Sequence, residues 1–224
     1  MAATAVRIGL DGREPVSGLF DAPDDAAALL VLAHGAGAGM THKAMAATAE
    51  GLAARRIAVL RYNFPYMERG SKRPDAPPLA QATVRAAVGR AAELAPHLPL
   101  FAGGRSFGGR MTSQAEANEP LPGVRGLVFF AFPLHPSGAP SVTRAEHLKQ
   151  VKLPMLFLQG TRDALAALGL LETAVKGLGK RATLHLEAEA DHSFHVPAST
   201  GRRDAEVMAA ILDATAGWML ARAG

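Results

Sequence analysis

Apolar residues along this chain fall in short runs separated by longer segments with helical spacing. The continuous runs at 28–33, 57–61, 98–102, 126–131, 155–159 and 183–187 suit parallel strands buried on both faces. Two earlier runs, 6–10 and 16–20, are separated by Asp11-Gly12 and predict an antiparallel start. Between the runs lie helical candidates at 42–54, 79–94, 106–118, 144–150 and 165–178. A last one, at about 204–220, sets Val207, Ile211, Ala214 and Trp218 on one face. This alternation predicts an α/β fold with a mainly parallel sheet of about eight strands and helices on both faces. No repeat, low-complexity tract or long linker interrupts it, so one domain over 1–224 is expected.

Two segments break the rhythm. Residues 63–78 and 132–142 are rich in proline, and both follow the C-terminal end of an expected strand. That edge of an open parallel sheet is where ligands bind. The interval after 131 is too short to fold a cap of its own. An open, shallow pocket walled by Phe64, Tyr66, Met67 and Leu134 is therefore expected.

Composition narrows the function. With 49% apolar and 20% charged residues, the chain is globular. The net charge of +4 is scattered in short groups such as Arg55-Arg56 and Arg202-Arg203, which argues against a nucleic-acid partner. There is no cysteine, which excludes disulfides, thiolate nucleophiles and cysteine metal sites. Residues 1–12 lack a basic start followed by an apolar core, and the run 26–33 is too short to span a membrane. A soluble cytoplasmic protein with no membrane partner is the expectation.

The chemistry centres on Gly104-Arg105-Ser106-Phe107-Gly108, between an apolar run and a helical segment. A serine flanked two residues away by glycines is what a nucleophile elbow requires. The strand reverses sharply into a helix, side chains at the flanking positions would collide, and the strain lifts the hydroxyl clear of the sheet. A serine hydroxyl needs a base, and of the eight histidines His192 lies in the loop between the last strand and the last helix. The base needs an acid, and Asp163 follows the preceding strand. The order Ser106, Asp163, His192 is the order of this type of site. Asp191 is too close to His192 in sequence to face it well, and His195 is the weaker alternative base. The glycine-rich turn Ala33-His34-Gly35-Ala36-Gly37-Ala38-Gly39 allows close approach to a developing oxyanion. The Ala36 and Phe107 amides are the expected oxyanion donors, with His34 bracing the loop. A dinucleotide-binding turn is set aside, because Met40 stands where a third glycine belongs and no acid ends the next strand.

With these residues together, the chain resembles a small α/β-hydrolase from about residue 27 onward. Within that fold it is similar to a compact dienelactone-hydrolase-like subfamily. The finer match rests on Leu32 to Gly39, Arg61-Tyr62-Asn63-Phe64-Pro65-Tyr66-Met67-Glu68, Gly104 to Met111, Phe132-Pro133-Leu134-His135-Pro136, Gln159 to Asp163 and Asp191 to Phe194. The resemblance implies the same Ser-Asp-His set. It extends to a testis-expressed protein and a subunit of a chromatin-acetylating complex, some of whose relatives serve as interaction modules. True dienelactone hydrolases use a cysteine nucleophile; here it can only be Ser106. The leading expectation is a serine hydrolase of the esterase or thioesterase type, acting through an acyl-enzyme on a small or short-acyl substrate. It needs no metal or organic cofactor. A non-catalytic interaction domain and an acyltransferase using the same site are the alternatives.

Overall fold

In the computed structural model, which describes residues 3–224, eight strands form one sheet. They are β1 (Thr4–Leu10), β2 (Arg13–Asp21), β3 (Ala28–Ala33), β4 (Ile57–Tyr62), β5 (Leu100–Arg105), β6 (Val124–Phe130), β7 (Met155–Gly160) and β8 (Ala182–Glu187). Their spatial order is β1-β2-β4-β3-β5-β6-β7-β8. β2 pairs antiparallel with both β1 and β4, and all later pairings are parallel. Every residue of β3, β4 and β7 is buried, as continuous apolar runs require when helices cover both faces.

The helices are α1 (Lys43–Ala53), α2 (Pro65–Glu68), α3 (Pro77–Leu94), α4 (Phe107–Asn118), α5 (Leu168–Gly177) and α6 (Asp204–Leu220). One face of the sheet packs on α1 and α6, through Met45, Ala49, Val207, Ile211 and Trp218. Ala214 is only half-buried, at the margin of that core. The other face packs on α3, α4 and α5, through Val84, Ala87, Met111, Leu171 and Val175. Among the described residues there is no separate cap domain, and the fold is that of an α/β hydrolase. Residues 131–142 run as a loop into Thr143–Lys149, where the expected helical segment is wound as a 3-10 helix.

Two further differences have local causes. The helix expected from 165 begins only at Leu168, because the amides before it are taken by side chains. Leu165 N–H donates to Asp163 Oδ1 at 2.7 Å, and Ala167 N–H donates to His135 Nε2 at 2.8 Å. The short helix α2 interrupts the first proline-rich loop, with Pro65 at its first position, where a missing N–H costs nothing. Among the described residues, no helix is long and apolar enough to cross a membrane.

Candidate active site

Ser106 sits between β5 and α4 with φ 49° and ψ −114°, a strained conformation for a residue with a side chain. The flanking glycines are what make the turn possible. A Cβ on Gly104 would lie 2.5 Å from the Ala33 carbonyl oxygen, and one on Gly108 would lie 2.5 Å from the same atom. Strand β3 and the elbow are thus in backbone contact, which no other residue type permits.

The hydroxyl so presented meets His192. Ser106 Oγ and His192 Nε2 are 2.9 Å apart, and His192 Nδ1 lies 2.7 Å from Asp163 Oδ2. The three side chains come from the ends of β5, β7 and β8, strands adjoining or near one another on one edge of the sheet. Asp163 has a side chain with 0% exposure, yet its oxygens are saturated by donors. Besides His192, it accepts from Leu165 N–H at 2.7 Å and from the Gln159 side-chain amide. A buried carboxylate is tolerable when hydrogen bonds replace its water. Gln159 lies in the buried strand β7 four residues before Asp163, and nothing in the sequence marks it as a partner of that carboxylate.

The His192 loop is braced independently. Asp191 Oδ1 accepts from Ser193 N–H at 2.7 Å and His195 N–H at 3.0 Å, so this carboxylate shapes the turn and does not face the imidazole. Arg105 Nη2 donates to the His192 carbonyl at 3.3 Å, and its guanidinium lies 5.5 Å from the Phe194 ring. His195 faces away and pairs with Asp204 at 2.9 Å.

The glycine turn after β3 is held by His34, which is fully buried. Phe64 N–H donates to His34 Nε2 at 3.1 Å, so Nδ1 carries the proton and donates to the Gly35 carbonyl at 2.7 Å. Burial also holds this imidazole below its ordinary value, consistent with the neutral tautomer. Because the peptide is planar and trans, anchoring the Gly35 carbonyl toward His34 turns the Ala36 N–H the opposite way. The Ser106 carbonyl accepts Arg110 N–H at 3.1 Å, which by the same logic turns the Phe107 N–H toward the open end of the helix. Neither amide donates to a protein acceptor among the described residues. A Cβ on Gly35 would lie 3.8 Å from Ser106 Cβ, so the turn and the elbow are in contact.

The expected pocket walls need correction. Phe64, Tyr66 and Leu134 are 0% exposed and belong to the core. Phe64 packs edge-on against His34 at 5.0 Å and against Phe107 at 5.3 Å, so these rings support the site from beneath. Only Met67 of the four is partly exposed. Apolar side chains next to a turn go to the core and not to a cavity wall, because burying them gains about 25 cal/mol per Å².

A mostly parallel sheet with a strained serine between strand and helix, lined up with a histidine and a buried carboxylate, defines the α/β-hydrolase class. The model for the alpha/beta hydrolase domain matches residues 26–220, and the chain belongs to that family. Among solved structures it is similar to a dienelactone hydrolase from Anabaena variabilis. They share 21% identity over 99% of this chain and 98% of the other, with a TM-score of 0.80. An α/β serine hydrolase without lid from Xanthomonas campestris matches with 21% identity, TM-score 0.74 and coverage of 97% and 95%. The esterase domain of a Rhodothermus marinus protein matches over 100% of both chains with 16% identity and a TM-score of 0.75. Identities this low carry the fold.

Proposed function

We propose that this protein is a single-domain serine hydrolase of the esterase or thioesterase type. Ser106 attacks the acyl carbonyl, His192 takes its proton and passes it to the leaving group, and Asp163 orients His192 and stabilises its charge. The Ala36 and Phe107 amides receive the oxyanion. The acyl-enzyme is then hydrolysed by water activated on His192, and no metal or organic cofactor takes part. The observation that carries this reading is the continuous line Ser106–His192–Asp163, at 2.9 and 2.7 Å, beside two amides that no protein acceptor occupies.

Without a cap domain, little of a long acyl chain can be buried, and each methylene left in water forgoes about 0.8 kcal/mol. The substrate is therefore a small or short-acyl ester. A fluorophosphonate probe tests the reading: it should label Ser106 alone, and a panel of aryl esters should show kcat/KM levelling off beyond short acyl groups. An unlabelled Ser106 would overturn the mechanism, and a steady rise to long chains would overturn the substrate size.

A further inference from the structure

Most arginines of this protein that are not fully exposed hold a protein partner. Arg61 pairs with Asp21 at 3.1 Å, Arg202 with Glu187 at 2.7 Å, and Arg105 with the His192 carbonyl. Arg110 and Arg144 depart from this pattern. Both are half-buried, yet among the described residues neither has an ion pair or a hydrogen-bond acceptor for its side chain. The Arg110 Nε is fully buried and without a protein partner. Guanidinium groups do not shed their proton in proteins, so both are charged. They are also neighbours, and burial followed by the charge of Arg144 holds Arg110 below its ordinary value. Two half-buried like charges without a counter-charge are unfavourable for folding. His147, hydrogen-bonded to Ser113 in the same cluster, offers no anion, and Glu146 is exposed and pairs with neither arginine.

Their place in the fold gives the pair a use. Arg110 is four residues beyond Ser106, about 6 Å along the helix axis. Side chains on a helix lean toward its N-terminus, which carries this guanidinium back toward the elbow. Its central carbon is 6.0 Å from the ring of Phe107, the residue next to Ser106. Arg144 lies on the 3-10 turn Thr143–Lys149 that packs on α4, close enough for its charge to act on Arg110. We propose that Arg110 and Arg144 form an anion subsite beside Ser106, and that the substrate carries a carboxylate or phosphate a few bonds from the carbonyl under attack. The planar fork of a guanidinium matches either oxyanion bidentately. This inference rests on the hydrolase reading for the reaction, but not for the binding.

The test compares aryl hemisuccinate and hemiglutarate with the uncharged aryl esters of equal acyl length, and adds an aryl ester ending in a phosphate. The wild-type protein should favour one anionic type by at least about tenfold in kcat/KM. Arg110→Met and Arg144→Met should bring that ratio toward one. Arg110→Lys should keep part of it, and Arg125→Met, at an exposed arginine that bonds the Ala223 carbonyl, should keep all of it. Glutarate and inorganic phosphate, titrated by calorimetry, read the subsite without turnover and separate the two ligand types. A wild-type ratio near or below one, with neither anion bound, overturns the subsite even if the variants fail to fold. So does a preference that survives both methionine substitutions. An unlabelled Ser106 with an anion still bound and lost in Arg110→Met overturns the hydrolase reading and leaves the subsite standing.

Discussion

Two serine–histidine pairs lie within one helix of each other, and their contacts are almost the same length. Ser106 Oγ is 2.9 Å from His192 Nε2, and Ser113 Oγ is 2.8 Å from His147 Nε2. Everything around the contact differs. Ser106 stands at the end of a strand with φ 49°, whereas Ser113 is in the body of α4 and is 0% exposed. The Ser113 hydroxyl donates to the Arg110 carbonyl at 2.9 Å, so His147 must be the donor to Ser113 and holds no lone pair for its proton. Behind His192 lies a carboxylate; beside His147 lies the Arg110 guanidinium. Burial and that cation push His147 down to about 4. A serine near a histidine is therefore not by itself a reactive pair. The acid behind the base and the backbone beneath the nucleophile separate a candidate site from a core contact.

The sharpest way to break this comparison is to delete each hydroxyl. Ser106→Ala should lower kcat by about 10⁵- to 10⁶-fold, the loss seen when a triad nucleophile is removed. Ser113→Ala should stay within about threefold, since it removes only a core hydrogen bond. Ester turnover by purified variants checks both, and equal losses would erase the distinction. Removing the acid comes next. Asp163→Asn should cost about 10⁴ in kcat by favouring the wrong tautomer of His192, a loss with no counterpart at His147.

The backbone difference is probed by Gly108→Ala. Its Cβ would meet the Ala33 oxygen at 2.5 Å and the His34 oxygen at 2.6 Å. Parting β3 from the elbow should destabilise the fold by about 1–3 kcal/mol, measured by urea unfolding, and should cut turnover as well.

The smallest effect is on pH. His147 binds its proton less readily folded than unfolded, so between its ordinary value and about 4 the unfolded chain holds more protons. The sign follows: stability is complete above the ordinary histidine range and is lost as pH falls toward 4. After allowance for solvent screening at a half-buried site, the loss between pH 7.5 and 5 should be about 1 kcal/mol. Urea midpoints at the two pH values measure it, and His147→Gln should flatten the dependence. His34, also depressed by burial, adds in the same direction.

The regions differ too in how well they could be read beforehand. Periodicity located the strands because a sheet covered on both faces demands unbroken apolar runs, and it located α6 through Val207, Ile211 and Trp218. It failed where side chains take over backbone amides. Asp163 and His135 delay α5, and the spacing at 144–150 does not distinguish α from 3-10 winding. Phe64, Tyr66 and Leu134 look like pocket walls on a loop, but burial assigned them to the core.

What the sequence determined alone is the covalent chemistry on offer and its order: no thiol, one serine between glycines, then an acid and a histidine in later loops. These are local properties, because glycine is the residue that fits a close backbone approach wherever it occurs. Tertiary structure decided the rest. It tied the Gly35 carbonyl to His34, enclosed Asp163 among three donors, and left Arg110 and Arg144 without a counter-charge. Hydrogen bonds and charge pairs act across a few ångströms in space, and partners that close can lie more than a hundred residues apart in sequence.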